Sequence, residues 1–171
     1  MEIAPTAREE GPATPEHTGA AELAQAAAGP AIQELGLLLR AAARLDRAMD
    51  AAMRAECGLS HTMFEVLLML ARAHGGGTSQ RDLAEGLTLT SGGTTRLVDR
   101  MEQAGLVRRT PSPADRRITL VQATDRGADA FRRATEVHAA IVERMFLQPV
   151  APADRPHLLA ALRAIVDNPQ P

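Results

Sequence analysis

The 171-residue chain has no lysine, no tryptophan, no tyrosine and a single cysteine. One thiol excludes a disulfide framework and any multi-thiolate zinc or iron–sulfur centre. Long hydrophobic runs are missing too. The longest, such as residues 66–71, are far too short to span a bilayer. The first residues are acidic where a secretory leader would be basic and then apolar, so the expectation is a cytoplasmic protein with no membrane partner. Proline is absent from residues 31–110, so helices there can run uninterrupted. Without lysine, all 19 basic residues are arginine, against 21 acidic ones, for a net charge of −2. That balance excludes a protein coated in positive charge. It leaves a local basic patch open.

Residues 1–29 are rich in Ala, Pro and Glu with little periodic hydrophobicity, and read as a disordered acidic arm. From Ile32 the spacing turns helical, through Leu35, Leu38/Leu39, Ala42, Leu45, Met49 and Met53, on one stripe ending at Cys57-Gly58. Ser60 is placed to cap a second helix around Phe64, Leu67, Leu68 and Leu70, with a glycine of Gly75-Gly76-Gly77 as its left-handed terminator. Ser79 and Asp82 match the capping-box spacing at the start of a short helix. Thr90 is placed to cap another, carrying Leu97, Val98 and Met101.

Two short helices joined by a tight turn form a helix-turn-helix pattern. A hairpin follows, with strands over 106–110 and 118–121 and a proline-bearing turn over 111–116. Thr124-Asp125 opens a long helix carrying Phe131, Val137, Ile141, Val142 and Met145. Asp154 is placed to cap a last one carrying Leu158, Leu159, Leu162, Ile165 and Val166. The fold class is therefore mainly α with a small β-wing. Between Arg96 and Arg117 six arginines face three acidic residues, so the rest of the chain carries −5 of the net −2. Cations gathered on a helix and wing suit phosphate contact. The plain alternative is a solvated face with Arg96 and Arg100 paired to Asp99 or Glu102.

The run from Arg81 to Gly127 carries a Thr-Arg-Leu-Val-Asp-Arg block at 95–100, then Gly-Leu-Val, the wing's Asp115-Arg116-Arg117 and Thr124-Asp-Arg-Gly127. In order and spacing it resembles the MarR family of bacterial transcription regulators. The resemblance covers about residues 32–167. It implies a winged-helix homodimer that binds a pseudo-palindromic operator in double-stranded DNA, most often as a repressor, and no enzyme activity. It divides the chain into an N-terminal dimerisation helix at 30–57, a winged DNA-binding domain at 58–123 and C-terminal dimerisation helices at 124–171. The dimerisation residues would include Ile32, Leu35, Leu39, Val142, Met145, Leu159, Leu162 and Ile165.

On the same resemblance, the helix from Thr90 is the recognition helix, with Ser91, Gly92, Thr95, Arg96 and Arg100 toward DNA. Arginine can take guanine bidentately, and Ser79, Thr90 and helix N-termini suit phosphate. Gly92-Gly93 would serve close approach to the duplex or simply be a weak first turn. Arg117 is the family-equivalent minor-groove arginine, with Arg116 able to share or take the contact and Asp115 supporting the wing. Arg108 and Arg109 read as backbone contacts or solvated strand residues.

An effector pocket is implied between the dimer helices and the winged domain. Its expected lining is Leu45, Met49, Met53 and Phe64, for a small ligand that is largely apolar or anionic and anchored by an arginine such as Arg44, Arg47 or Arg54. The alternative is redox sensing through Cys57, although Glu56 beside it works against a thiolate. His61, His74, His138 and His157 are not close-spaced, so no metal and no cofactor are expected. His74-Gly-Gly-Gly77 copies an esterase oxyanion string, but the chain has no Gly-x-Ser-x-Gly elbow to accompany it.

Overall fold

Hydroxyl caps set the helix starts. In the computed structural model, which describes residues 18–74, 76–87 and 89–168, Ser60, Ser79, Thr90 and Thr124 each accept a hydrogen bond from the N–H three residues on. Each satisfies a donor that its helix leaves without an intrahelical partner.

The chain falls into two compact units, residues 1–42 and 43–171. The first holds helix α1 (Thr18–Ala27) and the beginning of α2 (Pro30–Cys57), which has proline at its first position. Helix α1 corrects the expectation of a disordered arm over its residues: an Ala-rich segment has high helix propensity even without a buried face. Residues 1–17 of that expected arm lie outside the described residues. Leu23, Ile32, Leu35, Leu37 and Leu39 are all exposed in this unit.

The second unit continues α2 and adds α3 (His61–Arg72), β1 (Thr78–Ser79), α4 (Gln80–Gly86) and α5 (Ser91–Gln103). Strands β2 (Val107–Pro111) and β3 (Thr119–Ala123) follow, then α6 (Asp125–Val142), a π turn over Glu143–Leu147, and α7 (Arg155–Val166). The sheet order is β1-β3-β2, all antiparallel, with Arg109 opposite Val121. Pro111 extends β2 by one residue beyond the sequence expectation, which an edge strand tolerates. Strand β1 has two residues, too few to produce an alternating pattern. Pairing with β3 alone creates it.

Three local expectations change. Helix α3 ends at Arg72 with Ala73 as its cap, and the left-handed residue is His74 at φ 48 rather than a glycine. Gly77 also has positive φ and lies against β3, where a Cβ would sit 2.9 Å from the Val121 carbonyl oxygen. Asp154 occupies the cap position of α7 without making a side-chain cap bond. Past Val142 the expected long helix widens into the π turn. The carbonyl of Leu147 at its end and that of Val150 in the following loop accept from the Arg155 guanidinium.

The core of the second unit joins Met53, Leu59, Phe64, Val66 and Leu67 to Leu83, Leu97, Val98, Met101, Val107 and Val121. At its edge four rings stack. His61 and His138 lie 6.2 Å apart, Phe64 and His138 4.9 Å, and Phe64 and Phe131 5.3 Å. Asp46 holds His61 Nδ1 at 2.7 Å, and Asp50 accepts the His61 N–H.

Burial foremost, and then neighbouring His61, push the His138 pKa below its ordinary value of 6.5. The unfolded chain therefore binds more protons than the folded one just below that value. The stability contribution of neutral His138 is complete above pH 6.5 and declines as pH falls through its depressed folded value. His138→Phe keeps a ring in the stack and removes the titration. Denaturant unfolding from pH 7.5 to 5 should give a flatter stability profile for the variant than for the wild type, and parallel profiles would refute the assignment.

Candidate nucleic-acid interface

Helix α5 separates its residues cleanly. Thr94, Leu97, Val98 and Met101 are buried, while Ser91, Gly92, Thr95, Arg96 and Arg100 are exposed. Gly92, Arg96 and Arg100 recur every four residues and so share one outward stripe. Thr90 is exposed at the cap, where its Oγ1 accepts from Gly93 N–H at 3.1 Å, and Thr95 Oγ1 donates to the Ser91 carbonyl at 3.0 Å. A Cβ on Gly92 would meet nothing within 4 Å, so the protein itself does not require glycine there. Ser79 stands half-buried at the start of α4, engaged by Asp82 N–H at 3.1 Å.

Within the wing loop, the Asp115 carboxylate accepts the Arg117 backbone N–H at 3.0 Å, Nε at 3.2 Å and Nη2 at 3.1 Å. These bonds, the side-chain ones foremost, hold the Asp115 carboxyl below its usual pKa range. Arg117 nonetheless keeps 91% of its side chain exposed, so it is oriented without being covered. Arg116 is exposed beside it and has no carboxylate partner among the described residues.

Arg109 corrects its reading as a backbone contact or solvated strand residue. Its guanidinium reaches back from β2 to α5, donating to Asp99 at 2.6 Å and to Glu102, while its backbone N–H donates to Glu102 at 3.0 Å. Burial opposes the cation, but the two carboxylates outweigh it and raise its pKa. Register brings Arg109 over the acids of the preceding helix, a partnership that no charge spacing along the chain reveals. The acids considered as partners for Arg96 and Arg100 are thus occupied, and neither arginine has a carboxylate partner among the described residues. Arg108 faces the other way, donating through Nε and Nη2 to Gln122.

Gln80 is a residue that sequence reasoning missed. Its Nε2 is buried without a hydrogen-bond partner among the described residues, and it lines a cleft together with Thr90, Ser91 and Thr95. Glutamine at the start of a helix carries no signal by itself.

Of the residues expected to line an effector pocket, Met53 and Phe64 are buried in the core cluster, while Leu45 and Met49 are half-buried along α2. A cleft of about 730 Å³ opens between α3 and α5, with Arg54, Arg96, Arg100, Asp99, Met63 and Leu97 in its lining. Arg54 is paired with Asp50 at 2.6 Å. Cys57 is half-buried and packs against the core. Among the described residues no group of three or more His, Cys, Asp or Glu is placed to hold a metal, and no helix is long and apolar enough to cross a membrane.

Comparison with known proteins places these features in a family context. Residues 58–118 match the model of a MarR family. The chain is 33% identical over 129 residues to the HTH-type transcriptional regulator PecS of Dickeya dadantii, covering 75% of this chain and 76% of that protein. Among solved structures it is similar to AbsC, a MarR family transcriptional regulator from Streptomyces coelicolor. That match has a TM-score of 0.74 and 27% identity, over 81% of this chain and 94% of that one. It is also similar to the transcriptional repressor CouR bound to a 23-mer DNA duplex, with a TM-score of 0.67 and 29% identity over 76% and 89% of the two chains. CouR from Rhodococcus jostii RHA1 bound to p-coumaroyl-CoA matches with a TM-score of 0.69 and 28% identity, over 79% and 92%.

Proposed function

Because the chain belongs to the MarR family of DNA-binding transcriptional regulators, we propose that it acts as a homodimeric repressor that a small anionic ligand releases from DNA. The observation that carries the DNA-contact assignment is the outward stripe of α5. It presents a capped helix N-terminus, two hydroxyls, an open glycine and two arginines that the protein's own acids leave available. Arg96 and Thr95 are suited to base edges, while Thr90, Ser91, Arg100 and the α4 N-terminus at Ser79 are suited to phosphate. Arg117, aimed by Asp115, suits a narrow minor groove, with Arg116 next to it.

Homodimerisation is supported by apolar surface that each unit leaves uncovered. Ile32, Leu35 and Leu39 do so in the first, and Leu159 and Ile165 in the second. Val142, Met145 and Leu162 are half-buried and would complete the contact. A twofold dimer would set its recognition helices ~34–36 Å apart, giving half-sites centred about 10 bp apart. Repression is supported by the likeness to CouR, whose ligand-bound structure also supports a small-molecule effector. The cleft at Arg54, Arg96 and Arg100 also includes Asp99, whose charge is met by Arg109, and the arginines support an anion as its occupant. An anion bound there would engage the arginines that DNA needs, so the two would exclude each other.

Selection of genomic fragments with the purified protein, followed by titration at several salt concentrations, tests the reading. The expected result is a pseudo-palindromic site preferred over random DNA. Equal affinity for both at matched salt would overturn it. Arg117→Ala should weaken operator binding several-fold and reduce the salt slope by about one for each wing. An unchanged affinity and slope would remove Arg117 from the interface.

A further inference from the structure

The joint between α6 and α7 is poor in backbone donors. Prolines stand at 149, 152 and 156, and none has an N–H to give. The π turn closes with Gln148 N–H donating to the Glu143 carbonyl at 2.9 Å, and Asp154 N–H reaches only as far back as Ala151. Arg155, the first residue of α7, supplies what the prolines cannot. Its Nη2 donates to the Leu147 carbonyl at 2.6 Å, and its Nε donates to the Val150 carbonyl at 3.1 Å. The side chain is half-buried and has no carboxylate partner among the described residues. Charged donors make the stronger hydrogen bonds, and two from one planar fork fix direction as well as distance.

Helix α7 has little else in its own unit to hold it. None of its 12 residues is buried, and Leu159, Ile165 and Val166 are exposed. Helix α6 is firmly seated, by contrast, with Gly127, Ala130, Ala134 and Ile141 buried and its start capped by Thr124. We propose that Arg155 is a positioning residue that fixes the direction of α7 on α6, and with it the half-site spacing that the protein accepts in DNA. This rests on the homodimer reading, in which α7 supplies part of the contact. The lever is long enough to matter. The 18 residues of α6 span about 27 Å, so a swing of about 10° at the joint moves its far end by about 5 Å. That exceeds the rise of one base pair, about 3.4 Å. A loosened joint would let the two recognition helices meet several spacings and would weaken the fit to the correct one.

The probe is the duplex that fragment selection returns, remade with one base pair added or removed between its half-sites, together with a duplex carrying one half-site. The wild type should bind the selected duplex about tenfold or more tighter than either respaced one. Arg155→Ala should bind the selected duplex less tightly and the respaced ones relatively better, so that the preference shrinks to about threefold or less. Its affinity for the single half-site should match the wild type, because no DNA contact is touched. Arg155→Lys should fall between the two, since one ammonium cannot fork to both carbonyls. Sedimentation and circular dichroism confirm that each variant is a folded dimer, and the Lys variant carries the comparison should the Ala variant dissociate. A folded dimeric variant that keeps the full spacing preference overturns the proposal. So does one whose affinities for all three two-site duplexes fall in proportion. A wild type indifferent to spacing overturns the homodimer reading, and the proposal with it.

Discussion

Gly127→Ala is expected to destabilise the protein by about 3 kcal/mol, as overpacking strain adds to the loss of a helix cap. A Cβ at position 127 would lie 2.0 Å from the Leu106 carbonyl oxygen and 3.0 Å from its carbonyl carbon. These are backbone atoms and cannot rotate away. The first turn of α6 is stitched to the same place. Thr124 N–H donates to Leu106 O at 3.1 Å, Thr124 Oγ1 donates to Gly105 O at 2.6 Å, and Gly127 N–H donates to Thr124 Oγ1 at 3.0 Å. Moving α6 to admit a methyl group would break this set. Gly92→Ala is the internal comparison: nothing lies within 4 Å of a Cβ there, so it should leave stability unchanged or raise it by up to about 1 kcal/mol. Denaturant unfolding of both variants checks the contrast. A cost below about 1 kcal/mol at position 127 would mean that α6 is not rigidly seated on Leu106.

Arg109→Ala should lower stability by about 2 kcal/mol and operator affinity about tenfold. Removing one member of a buried ion pair costs about 3–5 kcal/mol, which partial solvent access reduces here. Arg109 retains 25% of its side-chain exposure, and Asp99 and Glu102 more. Without the cation, two carboxylates on α5 face each other uncompensated, and they stand on the helix proposed to meet DNA. The wing strand also loses its tie to that helix, so Arg117 is less well aimed. Arg109→Lys should restore only part of the affinity, because a single ammonium cannot bridge both acids with the geometry of the fork. Unfolding and operator titration measure the two effects. A stability loss with operator affinity within twofold of the wild type would mean that packing alone aims the wing.

Much of this fold is legible along the chain because its signals are local. Hydroxyl caps at Ser60, Ser79, Thr90 and Thr124 act over three residues, and the helical stripes repeat over one or two turns. Strand β1, the stacked His61 and His138 rings, and the buried Gln80 were not legible. Each depends on a partner brought close by the fold rather than on spacing. Met53 and Phe64 illustrate the same limit. Their helical spacing makes them inward-facing, but which side chains from other elements join them in the core is set by the fold.

The sequence by itself determined the order of the helices and hairpin from Pro30 onward, the caps at Ser60, Ser79, Thr90 and Thr124, and the concentration of arginine between residues 96 and 117. Only the tertiary structure decided what those six arginines do. Arg109 is held by two carboxylates, Arg108 lies against Gln122, and Arg117 is oriented by Asp115. Arg96, Arg100 and Arg116 have no carboxylate partner among the described residues. Charge adds up along a chain regardless of conformation. Pairing depends on distances of a few ångströms between groups, and those are set by strand register and helix packing.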